Sequence, residues 1–177
     1  MPKRRSGFQA CVLHDGRVVI AGGDDRDAQG PTAIDEVSLL RPPPISVNAT
    51  STNSSDDKLS WEPTSPMTTP RSEFAMGVLH DGRVIVAGGC DGADHLALNS
   101  VECYDPRTKR WDSITPMRTK RVACAGVVAA DGCFIVTGGE NAMAGQMPLV
   151  SVEAYDPKTN TWSARPSMQY PRADHSI

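Results

Sequence analysis

Few side chains in this sequence have both the type and the spacing that chemistry requires. The four histidines are His14, His80, His95 and His175, and no His-x-x-His pair, Cys/His quartet or Gly-x-Ser-x-Gly accompanies them. Zinc hydrolysis and nucleophile-elbow chemistry therefore lack their ligands and their nucleophile. His14 and His80 both precede an Asp-Gly dipeptide, where a third copy has Ala130, and they read as parts of a repeat. Gly22-Gly23-Asp24 and its copies do not form a phosphate cradle, because no Gly-x4-Gly-Lys-Ser/Thr follows and the loop opens no helix. Asp24 and Asp25 are adjacent carboxylates, and neighbours on a loop more often face apart than converge. These residues predict neither an enzyme nor a metal or cofactor site. What remains is recognition, carried by polar loops rich in Asp, Asn, Glu and Gly.

Composition narrows the partners. A hydrophobic fraction of 39% with 22% charged residues is that of an ordinary folded protein. A net charge of −3 argues against non-specific binding to nucleic acid or anionic lipid, which needs a basic surface. No apolar run approaches the ~18 residues of a membrane helix. The apolar run after the basic start MPKRRSGFQACVL is too short for a signal peptide. The cysteines (Cys11, Cys90, Cys103, Cys124, Cys133) are odd in number and show no C-x-x-C spacing, which fits a reducing, cytoplasmic setting. On that reading the sequons at Asn48 and Asn53 are chance features of a Ser/Thr-rich loop.

The loops are positioned by a repeat. Arg5, Arg71 and Arg121 stand at one fixed distance before Gly22, Gly88 and Gly138. The turn glycines Gly16, Gly82 and Gly132 stand at another. Tyr104 precedes Trp111 as Tyr155 precedes Trp162, and Met67, Met117 and Met168 each precede an Arg by the same step. Periods of 20 to 50 residues signal a repeat architecture.

Each repeat divides into four short strand signals, A to D. Strand A is Phe8–Leu13, Phe74–Leu79 and Cys124–Val128; strand B is Val18–Ala21, Val84–Ala87 and Phe134–Thr137. Asp-Gly joins A to B each time, suited to a type I′ or related hairpin. Strand B is continuously apolar, as expected of a strand covered on both faces. The pairs Gly22-Gly23, Gly88-Gly89 and Gly138-Gly139 follow, letting the backbone turn where a side chain would strike a neighbour. Strand C is Val101–Tyr104 and Val152–Tyr155, alternating with period two and closed by Asp-Pro. Strand D carries Trp61, Trp111 or Trp162, and burying one such ring contributes about 1.5–3 kcal/mol. In the first repeat Leu40 replaces the Tyr, and residues 43–59 form a polar insertion expected to be a mobile loop.

Four-stranded antiparallel units arranged about an axis make a β-propeller. The order apolar run, Gly-Gly, polar loop, Tyr, then Trp resembles the kelch repeat. The segment from Leu98 to Trp111, LNSVECYDPRTKRW, is most similar to the kelch repeats of BTB–kelch proteins. The fold expected is all-β: an incomplete arc of three kelch blades (about 5–66, 71–116 and 121–168) plus the first strand of a fourth at 171–177. The arc would belong to a six- or seven-bladed ring, completed by further blades or by a second copy. Its open ends would expose strand edges and two apolar faces.

In such a meander the A–B and C–D turns lie at one end of the blade, and the B–C and D–A connections lie at the other. The long, variable B–C loops mark the second end as the binding face. The resemblance implies that this face grips a partner peptide. Carried onto this sequence, the contact residues are Asp24, Asp25, Arg26, Asp91, Asp94, His95, Glu140 and Asn141 on B–C loops. Arg71, Glu73, Arg121 and Asp174 join them from the D–A side. Acids outnumber bases, which points to a basic partner. The arginines have a second use: an Arg at the mouth of strand A can cap carbonyls or pair with a nearby carboxylate. By resemblance, the function is substrate recognition for a cullin-type ubiquitin ligase. Actin binding is the alternative, and a propeller enzyme such as a sugar oxidase or epimerase is the more distant one.

Overall fold

The computed structural model describes residues 4–27, 30–42, 59–91, 96–141 and 147–177. Among them every regular element is a strand. β1 (Gln9–Val12) and β2 (Val18–Ala21) lead into a ribbon of β3 (Asp24–Asp27) and β4 (Gly30–Ala33), then β5 (Val37–Arg41) and β6 (Ser60–Pro63). β7 (Ala75–Val78) and β8 (Val84–Ala87) lead through the two-residue strands β9 (Cys90–Asp91) and β10 (Leu96–Ala97) to β11 (Val101–Asp105) and β12 (Arg110–Ile114). β13 (Ala125–Val128), β14 (Phe134–Thr137), β15 (Val152–Asp156) and β16 (Thr161–Arg165) complete the set. They form three antiparallel four-stranded sheets, β1-β2-β5-β6, β7-β8-β11-β12 and β13-β14-β15-β16. These are three blades in strand order A to D, with the A strands of successive blades packed side by side.

The repeated spacings are consequences of register. Tyr104 pairs directly across β11–β12 with Trp111, and Tyr155 pairs with Trp162. Their ring centroids lie 5.1 and 5.4 Å apart in tilted contact. Leu40 and Trp61 are partners in the first blade, so residues 43–59 enter between β5 and β6 without shifting the register. Most of that insertion, 43–58, lies outside the described residues.

The A–B turns differ from a type I′ hairpin. Positive φ occurs only at Gly16, Gly82 and Gly132 (+85°, +86° and +87°), not at the preceding Asp. The Gly16 N–H donates to the Leu13 carbonyl, and the Leu13 N–H to the Arg17 carbonyl. This is a three-residue loop, a type I turn followed by one left-handed glycine. The Asp carboxylate explains the choice: Asp15, Asp81 and Asp131 accept from the N–H two residues on and hold the first turn right-handed.

Alternate residues of strand B serve two cores. Val84 and Val86 face the first blade, packing with Leu13, Val19, Val37 and Leu39. Ile85 and Ala87 face the third, packing with Met117, Phe134, Val136 and Trp162. A strand flanked by a blade on each side has no wet face, which is why β8 is buried throughout. At the two ends of the arc this cover is missing. Val12 is 62% exposed on the first blade and Val127 36% exposed on the third.

Residues 171–177 form no strand. They nevertheless take the place on the third blade that the start of each blade takes on the one before it. The Gly139 N–H donates to the Arg172 carbonyl, as Gly23 does to Arg71 and Gly89 to Arg121. By this correspondence Ser176 matches Gln9, the first residue of β1, so the tail stops as a strand would begin.

The candidate interaction face

The end that carries the B–C loops is built around the glycine pairs. Gly22, Gly88 and Gly138 all have positive φ, and a Cβ on them would lie 2.3, 2.6 and 2.4 Å from the carbonyl oxygens of Arg71, Arg121 and Arg172. No side chain fits where one blade's backbone crosses the next so closely. Met67, Met117 and Met168 each bring Cε to 3.1 Å from where that Cβ would lie, filling the space above the glycine.

Arg71 and Arg121 are corrections to the expected contact set. Both are fully buried and turn inward, so neither can touch a partner. Arg71 Nη1 donates to the Gly88 and Ser100 carbonyls, and Nη2 to Ser100 Oγ and, at 2.6 Å, to Glu102 Oε1. Arg121 repeats the pattern with Gly138, Ser151 and Glu153 at 3.1 Å. Arg5 does so with Gly22 and Glu36, at the same separation of 17 residues. The fixed Arg-to-Gly spacing therefore measures one side chain's reach to one carbonyl. Burial pulls the Arg71 pKa down from its ordinary value, and the Glu102 carboxylate opposes that shift.

Glu102 and Glu153 are the residues that sequence reasoning missed. Besides the arginine, Glu102 accepts from the N–H groups of Thr68 and Thr69, and Glu153 from those of Arg118 and Thr119. Each carboxylate thus pins the D–A connection to the third strand of its blade. A signal was present: two residues before a buried Tyr on a strand, Glu must share that Tyr's face and needs a cation.

Asp24 is a further correction, at 6% exposure. Its backbone is bridged to Ser6 in both directions, and its carboxylate lies against Gly7. The remaining expected residues do gather at this end. Asp25 is half-buried on the ribbon opposite Thr32, and Arg26 stands opposite Pro31. Asp91 is half-buried opposite Leu96, Glu140 is bridged to Val122, and Asn141 is exposed. Asp94 and His95 lie outside the described residues.

Glu73 and Asp174 mark the axis. With Gly7 and Ala123 they are equivalent positions, all at positive φ between +51° and +62°. Glu73 N–H donates to the Gly7 carbonyl, Ala123 N–H to Glu73, and Asp174 N–H to Ala123. This staircase of main-chain bonds steps from blade to blade around the centre. Gly7, Gln9, Glu73, Ala123, Asp174 and His175 line a recess of about 250 Å³ there. Glu73 and Asp174 give its mouth negative charge.

The whole chain, residues 1–177, matches the family model described as the KLHDC2/KLHL20/DRC7 Kelch-repeats domain. The chain belongs to the kelch-repeat family. Kelch repeats of this kind form propeller modules for protein–protein interaction. An F-box/kelch-repeat protein of Arabidopsis thaliana is 39% identical over 54 residues, covering 30% of this chain and 14% of the relative. The solved structure of YjhT superposes on this kelch arc with a TM-score of 0.74 at 15% identity, over 96% of the chain and 54% of YjhT. A fungal alcohol oxidase of the AA5 family, in complex with copper, gives 0.58 at 21% identity, over 90% of this chain and 30% of the oxidase. Those two likenesses are of fold. The arc thus spans about half of one propeller and under a third of the other chain. Among the described residues no three or more His, Cys, Asp or Glu side chains are grouped to hold a metal ion.

The histidines of the opposite end are scaffold. The His14 ring lies over Gly82 of the second blade, and the His80 ring over Gly132 of the third. There the carboxylates Asp15, Asp81 and Asp105 are spent on neighbouring arginines.

Proposed function

We propose that this kelch arc captures a basic segment of another protein on the B–C and D–A face, as the substrate-recognition part of a ubiquitin-ligase adaptor acting in the cytoplasm. The observation that carries the reading is the division of charge between the two ends. At the turn end, Asp15, Asp81 and Asp105 are neutralised by adjacent arginines in short pairs of 2.7 to 3.1 Å. At the loop end the guanidinium groups of Arg5, Arg71 and Arg121 are buried, while Asp25, Glu73, Asp91, Glu140 and Asp174 remain at the surface beside Arg4, Arg118, Lys120 and Arg172. Turning three cations inward leaves acids outnumbering bases among these surface residues, which favours a cationic partner and speeds its encounter. The ligase assignment draws support from the family model and from a relative whose name joins an F-box to kelch repeats.

The test has two stages. Fluorescence anisotropy with unstructured peptides of net charge about +4, 0 and −4 should rank them in that order, with the preference weakening as salt rises. Asp91→Lys with Glu140→Lys should reverse the ranking without moving the melting temperature by more than about 2 °C. Unchanged ranking in the double variant refutes the face. Affinity purification of the full-length protein then tests the adaptor role: recovery of cullin-ligase subunits supports it, and a bait recovered with substrates but no ligase subunit refutes it.

A further inference from the structure

The ribbon β9–β10 lies at the loop end of the middle blade, and its residue pairs divide by face. Cys90 and Ala97 are partners and both are buried, at 1% and 6% exposure, with Cys90 Sγ against Ser72 Oγ at 3.2 Å. Asp91 and Leu96 are the next pair, and strand alternation turns them the other way, toward solvent. Leu96 is 50% exposed and Asp91 half-buried. Directly paired residues hold their Cβ atoms roughly 5 Å apart, so a carboxylate and an aliphatic side chain stand side by side on one outward face.

A single exposed leucine is ordinary on a protein surface. This one is set apart by the repeat. The middle blade has a blade packed on either side, so Leu96 is open by its place in the ribbon and not for want of a neighbour. The position also recurs. The N–H groups of Ile34, Leu98 and Leu149 donate to the carbonyls of Gly23, Gly89 and Gly139, which aligns the three B–C loops. Counted from those bonds, Thr32, Leu96 and Met147 are equivalent, as are Asp25, Asp91 and Asn141. Met147 is 78% exposed, so two successive blades hold an apolar side chain out at the same site. In the first blade Thr32 takes that place, paired with Asp25.

We propose that Leu96 and Asp91 form a two-part subsite that takes an extended basic segment bearing one aliphatic residue two places from a lysine or arginine. The inference rests on the reading that this face captures a basic segment, and it names what that segment must carry. A wholly apolar partner is disfavoured, because covering Leu96 also strips water from Asp91 and leaves its carboxylate unpaired. A wholly polar one leaves Leu96 unused. The spacing follows from strand geometry: residues i and i+2 of an extended chain share a face about 6.6 Å apart. The length of a lysine or arginine side chain spans the difference from the roughly 5 Å pair below. Met147 offers the apolar half again to a segment that continues around the rim.

Fluorescence anisotropy on the full chain tests this with two peptides of equal charge, Lys-Gly-Leu-Gly-Lys and Lys-Gly-Ser-Gly-Lys, each flanked by the same basic residues. The leucine peptide should bind about tenfold tighter, and the ratio should persist as added salt weakens both, because apolar burial is not screened. Leu96→Ser should bring the ratio to within about twofold while melting with the parent chain, as surface changes usually do. Asp91→Asn should weaken both peptides and leave the ratio. Val12→Ser, at an apolar site 62% exposed on the first blade, should also leave it, which excludes leucine adhering there. Equal binding of the two peptides, with a preference for positive charge intact, overturns the subsite and leaves the basic-segment reading standing. Binding of neither overturns both. A ratio that survives Leu96→Ser, or that Val12→Ser abolishes, puts the leucine elsewhere and overturns the subsite.

Discussion

Removing the Glu102 carboxylate is the sharpest test of how the blades are held. Glu102→Ala strands a guanidinium of zero side-chain exposure, whose partner oxygen lay at 2.6 Å. Breaking one side of a buried ion pair costs about 3–5 kcal/mol, because the other charge stays desolvated. The N–H groups of Thr68 and Thr69 lose an acceptor as well. Thr68 is exposed and Thr69 half-buried, so water recovers much of that loss and about 1 kcal/mol is added. The sum is about 4–6 kcal/mol, a large share of the ~5–15 kcal/mol that holds a domain together. The first blade supplies an internal control. There Ser38 stands where Glu102 does, and Arg5 pairs instead with Glu36 at 3.3 Å, whose side chain is 40% exposed. Glu36→Ala also leaves a buried guanidinium, but Arg5 keeps the Gly22 and Glu36 carbonyls and water reaches the exposed side of the pair, so the cost should be about 1–2 kcal/mol. Urea unfolding of both variants reads the difference directly, and in melting experiments it should exceed roughly 8 °C. Losses equal to within about 1 kcal/mol would show that the carboxylate is not what ties the D–A connection to its blade.

Two further outcomes follow from the same geometry. Gly88→Val places a branched side chain 2.6 Å from the Arg121 carbonyl at φ +71°, whereas Gly16→Ala at φ +85° meets nothing within 4 Å. The first should cost more than about 3 kcal/mol and the second about 1 kcal/mol by thermal melting; equal losses would leave φ alone responsible. The third concerns pH. Burial and Arg172 hold His175 below its ordinary value of 6.5, with Asp174 opposing. The native state therefore prefers the neutral ring, and its contribution is complete above the unfolded value and lost as pH falls toward the depressed one. Amide exchange at Asp174, corrected for intrinsic rate, should speed up as pH falls below about 6.5. Replacement of His175 by Ala should remove that dependence, and its persistence would place the proton elsewhere.

The sequence by itself determined the blade. Strand B is identical in its predicted and observed bounds in all three copies, Val18–Ala21, Val84–Ala87 and Phe134–Thr137. This follows because an unbroken apolar run between two glycine turns leaves little freedom in where pairing starts. Tyr and Trp at constant separation are opposite one another across a hairpin, and register alone requires that. The Gly-Gly requirement was legible too, since only a close crossing of backbone explains two glycines at every copy of one position.

What only the tertiary structure decided is which way the charged residues point. Arg71 stands two residues before Glu73 and Arg121 holds the same place in the next repeat, and nothing local marks either for burial. Their burial depends on Glu102 and Glu153, some thirty residues away along the chain and brought near only when β11 and β15 join their sheets. Asp24 is likewise buried by Ser6 and Gly7, which arrive from the start of the blade. Periodicity along a strand assigns a side chain to a face, but whether that face meets water, a neighbouring blade or a buried countercharge is settled by segments distant in sequence. On this protein that difference separates the rim of the binding face from the bolts beneath it.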